Sequence, residues 1–89
     1  MTQAQTPAAL APERLQQLWD AARAAQTKAY APYSQYAVGA AILDEQGAIH
    51  AGCNVENAAY PQGWCAEASA LAALVMSGAR RARAVLVLG

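Results

Sequence analysis

At 89 residues and 9.3 kDa, the chain holds one small domain with little stability to spare. A formal net charge of +0 removes the basic field that nucleic acid or an anionic membrane would require, and no apolar run reaches the length of a membrane span. Only 13% of residues are charged against 56% hydrophobic, about half the usual charged share, which suits a subunit that buries part of its surface against partners.

Residues 1–11 are polar and rich in Ala, Gln, Thr and Pro, and read as a flexible tail. They lack the basic start and apolar core of a signal peptide. A cytoplasmic setting follows as an expectation, with Cys53 and Cys65 reduced. The domain proper is expected over 12–89. Pro12 suits a first helical turn, with Glu13 in the favourable early position. Leu15, Leu18, Trp19, Ala22 and Ala25 recur at three- and four-residue spacing and mark one apolar face, with Trp19 expected in the core. Pro32 disfavours helix at Ala31.

The segment from Tyr30 to Tyr36 is a loop dense in aromatics. Its tyrosines suit packing, with rings buried and hydroxyls wet. Ala37–Leu43 reads as a strand, Asp44-Glu45-Gln46-Gly47 as a turn, and Ala48–Val55 as the returning strand of a hairpin. Gly39 suggests a bulge or a close backbone approach. His50 falls mid-strand and reads as a surface or structural group, since a metal site is not built on one stray His.

Acids, amides and a thiol then crowd one short stretch: Gly52-Cys53-Asn54-Val55-Glu56-Asn57, Tyr60-Pro61, and Cys65-Ala66-Glu67. The apolar run Leu71–Met76 that follows predicts a helix with Cys65 at or near its N-terminus. Unsatisfied N–H groups and the helix dipole there favour a thiolate, and a thiolate is a zinc ligand. From the first turn, Glu67 can reach the same space beyond the helix end, which places a carboxylate beside a metal donor. Each residue has a plainer reading as well. Cys65 suits a buried structural role, Glu67 is an ordinary first-turn acid, and Asn54 suits an Asx-type loop cap. Gly78 supplies a helix stop. Arg80, Arg81 and Arg83 read as dipole complementation and a solvated connector. Ala84–Leu88 is apolar enough for a strand buried on both faces.

Ala29-Tyr30-Ala31-Pro32-Tyr33-Ser34, Val38-Gly39-Ala40-Ala41, Gly52–Asn57 and Cys65-Ala66-Glu67 come in the order and spacing of the small zinc-dependent cytidine deaminases. The chain resembles that family from about Leu15 onward. The resemblance implies an α/β fold, a three-layer α/β/α sandwich on a mixed sheet, here reaching only its third strand. It implies hydrolytic deamination of cytidine or deoxycytidine in pyrimidine salvage, with a zinc-bound water attacking the base and a glutamate moving protons. By that likeness Cys65 would be a zinc ligand and Glu67 the proton shuttle. Asn54 and Glu56 would hold a ribose hydroxyl, Tyr36 would line the pyrimidine pocket, and Ala66 would contact substrate. The expected partners are the nucleoside and further copies of the chain as a homo-oligomer, with no nucleic acid and no membrane.

The likeness departs in two places. Position 68 is Ala where many relatives carry Arg. The family's Pro-Cys-Xaa-Xaa-Cys segment, source of two more zinc ligands, does not occur before Gly89. Two functions therefore compete: a deaminase whose remaining ligands come from elsewhere, and a non-catalytic module that binds nucleoside or supports assembly. The order of elements also leaves the Ala84–Leu88 strand with an open edge, liable to pair with another chain.

Overall fold

The computed structural model describes residues 2–5, 10–56 and 65–89. Its elements are β1 (Thr2–Gln5), α1 (Pro12–Gln26), β2 (Gly39–Asp44), β3 (Ile49–Cys53), α2 (Ala66–Met76) and β4 (Ala82–Leu88). Pro12 opens α1 and Gly78, at φ +99°, lies just past the end of α2, as turn and cap chemistry require. Asn57, Tyr60, Pro61 and Gly63, which belong to the sequence motif, lie outside the described residues.

The four strands form one sheet in the order β1-β4-β2-β3. β2 is central and wholly buried, and its alternating side chains serve two cores. Ala41 and Leu43 join Leu18 and Ala22 of α1 with Ala84, Leu86 and Leu88 of β4. Ala40 and Ile42 face the other way, onto Ala66, Ala70 and Leu74 of α2. This period-two division of one strand between two helices is the expected α/β/α sandwich.

Several details correct the sequence expectations. Every hydrogen-bonded strand pair is antiparallel, so the sheet is not mixed among the described strands. β3 and β4 do run parallel, but β2 lies between them. Thr2–Gln5 belongs to the stretch expected as tail, yet pairs along β4 from Thr2↔Leu88 to Gln5↔Val85. The edge expected to be open is therefore covered. β4 is also less symmetric than its apolar run suggests: Ala84, Leu86 and Leu88 are buried, while Val85 and Val87 are half-buried.

On α1 the buried residues are Leu18, Ala22 and Ala25, whereas Leu15 and Trp19 are exposed at 42% and 38%. Trp19 is thus not a core aromatic. Its ring lies under the Arg23 guanidinium at 5.6 Å, a cation–π contact on the helix surface. The buried stripe is narrower than the periodicity implied: Leu18 and Ala22 pack on Ala41, Leu43, Ala84, Leu86 and Leu88, while Leu15 and Trp19 lie outside it.

Two glycines set how closely the helices approach the sheet. A methyl built on Gly39 would come within 2.0 Å of the Ala22 carbonyl oxygen, and one on Gly52 within 2.4 Å of the Ala70 nitrogen. α1 thus rests on β2, and α2 on β3, through bare backbone. No helix among the described residues is long and apolar enough to cross a membrane.

Candidate active site

The register pairs Gly39 with Cys53 on one side and Leu88 on the other. The start of β2 and the ends of β3 and β4 therefore share one end of the sheet. α2 returns from that end with Gly52 against Ser69 and Ala70, so its N-terminus projects past the strand ends. Cys65 sits there as the N-cap, in extended conformation, with no side-chain capping bond. It is exposed and free, not the buried structural thiol of the plainer reading. Glu67 is exposed in the same first turn, and Ala66 between them is 1% exposed. Cys53 ends β3, also as a free thiol.

Across the same end folds the loop from Tyr30 to Val38, bound to the exit of β3 by an interlocking set of contacts. Tyr30 N–H donates to Asn54 O at 3.0 Å and Glu56 N–H donates to Tyr30 O at 2.9 Å. Asn54 then spends both ends of its side chain on the loop. Its Oδ1 accepts the Val38 N–H at 2.9 Å and its Nδ2 donates to Tyr36 O at 2.9 Å. Glu56 Oε1 accepts the Tyr33 and Ser34 N–H groups at 2.9 and 3.1 Å, and Oε2 accepts the Ser34 hydroxyl. The Ser34 hydroxyl and these N–H donors hold the Glu56 carboxyl below the usual carboxylate range, as donors to the charged form do.

Asn54, as its plainer reading has it, and Glu56 thus act as anchors from the exit of β3, and hold the loop that carries Tyr36 against it. The Tyr36 ring is 51% exposed, not packed down, and its hydroxyl abuts Gly89 at the end of β4. Tyr30 and Tyr33 are also exposed. Sequence reasoning did not assign Ser34 a part. It lies in the quoted motif, but its partner Glu56 is distant along the chain and only the fold joins them. Gln35, in left-handed conformation at φ 57°, left no mark in the sequence, since Gln has no preference for that region.

Among the described residues no three His, Cys, Asp or Glu side chains come together as a metal group. Cys65 is one donor where a catalytic zinc takes three protein ligands. His50 is far from this end and is committed to Asp44, with Nε2 at 2.8 Å from Oδ2, which bears out the structural reading of that histidine. The described residues do not by themselves complete a zinc site.

Residues 12–88 match the family model described as the cytidine and deoxycytidylate deaminase zinc-binding region. A cytidine deaminase of Sporosarcina psychrophila is 48% identical over 63 residues, 71% of this chain and 46% of its own length. A probable cytidine deaminase of Dictyostelium discoideum is 39% identical over 75 residues, 84% of this chain and 51% of its own. Among solved structures, cytidine deaminase from Mycobacterium tuberculosis superposes with a TM-score of 0.73 at 43% identity, covering 76% of this chain and 55% of that one. The enzyme from Burkholderia pseudomallei gives 0.71 at 43% identity, covering 80% and 58%. The chain spans about half the length of the relatives it matches.

Proposed function

Since this chain belongs to the cytidine and deoxycytidylate deaminase family, we propose that it carries the nucleoside-holding part of a deaminase acting on cytidine or deoxycytidine. Asn54 and Glu56 receive a sugar hydroxyl, Tyr36 lies along the pyrimidine, and Glu67 moves a proton at the ring nitrogen and the leaving amine. Ala66 lines the floor between Cys65 and Glu67. The observation that carries this reading is the convergence of the Asn54–Glu56 exit and the Tyr36 loop on the sheet end where α2 presents Cys65 and Glu67. A carboxylate and an amide held in fixed positions by the loop can offer their remaining acceptor positions to a sugar OH, a hydrogen bond that an analogue without the OH does not make.

Zinc is the metal this family reading calls for, and would supply the activated water in a complete site. Among the described residues, Cys65 is the donor placed to hold it. Deamination accordingly needs further ligands, and a homo-oligomer or a further segment is the natural source. The single donor also favours a second reading, nucleoside binding without turnover. Calorimetry with cytidine, uridine and free cytosine tests the binding. Tighter binding of cytidine than of cytosine is expected, and equal affinities would remove the sugar-holding role. Zinc content per chain separates the two readings.

A further inference from the structure

We propose that Ser34 is a positioning residue of this site: one hydroxyl ties the Glu56 carboxylate to the Tyr36 backbone, and so fixes the sugar-holding group relative to the base-lining one. The inference rests on the nucleoside reading above and assigns it a specificity determinant.

The geometry is a relay through a single oxygen. Ser34 Oγ donates to Glu56 Oε2 and accepts the Tyr36 N–H at 3.1 Å. A hydroxyl has one donor and two acceptor positions, so both bonds form together without competing. Between the two residues, Gln35 holds φ at 57°. That conformation is costly for a residue with a Cβ and persists only where neighbours over-determine it. The Tyr36 N–H on Ser34 Oγ and the Gln35 N–H on Ala31 O at 3.0 Å supply that constraint.

The carboxylate end is equally confined. An ionised carboxylate offers about four acceptor positions. Among the described residues, the Tyr33 N–H, the Ser34 N–H and the Ser34 hydroxyl engage three of them. The remaining position, on Oε2, is engaged by none of the described residues and is the one an incoming sugar hydroxyl would take. With Ser34 Oγ removed, Oε2 loses its partner and the carboxylate turns about the two N–H groups on Oε1. Tyr36 N–H loses its acceptor in the same step. The ligand class this favours is a pyrimidine nucleoside over the free base.

The test compares the full chain with Ser34→Ala and Ser34→Thr. Each protein is titrated calorimetrically with cytidine and with cytosine, and the Glu56 carboxyl is titrated by NMR, with circular dichroism monitoring the fold. Ser34→Ala is expected to reduce the preference for cytidine over cytosine about tenfold, the scale of one hydrogen bond to a charged group, and to raise the Glu56 pKa toward its ordinary value. Ser34→Thr, which keeps the hydroxyl, restores both. A wild-type preference left intact in a folded Ser34→Ala overturns the inference alone. An unmoved Glu56 titration in that variant overturns it as well, whatever the nucleosides do. A wild-type chain with no preference for cytidine overturns the nucleoside reading, and the inference falls with it.

Discussion

The Asp44 carboxylate and the His50 imidazole meet at 2.8 Å across the β2–β3 hairpin, while the other Asp44 oxygen accepts the Gln46 and Ala48 N–H groups. Asp44 is 1% exposed, so this is a charged group inside the fold, held by three donors. The His50 hydrogen bond, with the two turn N–H groups, lowers its pKa below the ordinary 3.8. A carboxyl lowered on folding adds stability that is fully present above the ordinary value and is lost as pH falls through the folded one. Urea midpoints should therefore drop on acidification below about pH 4, and Asp44→Asn should flatten that acid limb while lowering stability at pH 7. An unchanged acid limb in Asp44→Asn would show that another carboxyl governs it.

Gly39→Ala tests how closely α1 lies on the sheet. The new methyl meets a backbone carbonyl at 2.0 Å, and a main-chain atom in a helix cannot swing aside. The cost expected is about 3 kcal/mol, the upper end of overpacking, read as a lower urea midpoint. Gly78→Ala is the control, because nothing lies within 4 Å there and only its positive φ of 99° opposes the change.

Asn54 separates anchoring from ligand binding. Asn54→Ala leaves the Val38 N–H and the Tyr36 carbonyl without their partner and should cost about 1–3 kcal/mol. Asn54→Asp keeps the acceptor for Val38 but faces the Tyr36 carbonyl with an oxygen. Loop order near Tyr36, followed by hydrogen exchange at Val38 and Tyr36, should fall in the first variant and fall less at Val38 in the second. Equal loss at Val38 in both would remove Oδ1 as its acceptor.

Metal content follows from the donor count. The purified 89-residue chain should retain less than one tight zinc after gel filtration, since affinity depends on several preorganised ligands. In a protein that supplies the remaining ligands, Glu67→Gln should keep zinc and lose turnover, whereas Cys65→Ala should lose both. One tight zinc per monomeric chain would reveal donors other than Cys65.

Much of the architecture was legible because it depends on local chemistry. Pro12 and Gly78 marked helix ends, the Asp44–Gly47 turn marked the hairpin, and the apolar run before Met76 placed Cys65 at a helix start. What escaped depends on distance along the chain. Nothing in Thr2–Gln5 is apolar enough to announce a strand, and its pairing partner β4 lies at the other end of the sequence. Trp19 misled because periodicity records spacing and not how wide a stripe the sheet covers: Leu18 and Ala22 fill the contact, and Trp19 beside them stays at the surface under Arg23. Asn54 and Glu56 were singled out through the family resemblance of their motif, yet their bonds to Val38, Tyr33 and Ser34 could not be read before the loop and the strand exit were brought together. The same holds for Glu45, whose carboxylate accepts the Arg80 and Arg81 N–H groups and binds the hairpin turn to the start of β4.

The central place of β2 has a kinetic consequence. Its pairing with β3 closes through a four-residue turn, while its pairing with β4 must wait for α2 and both connections to be gathered in. Loop-closure entropy rises with the length enclosed and slows such non-local contacts. The hairpin therefore nucleates and β4 arrives late. Changes at Asp44 should slow folding, and changes at Leu86 should mainly speed unfolding. Chevron plots that assign the folding-rate loss to Leu86 would reverse that order of events.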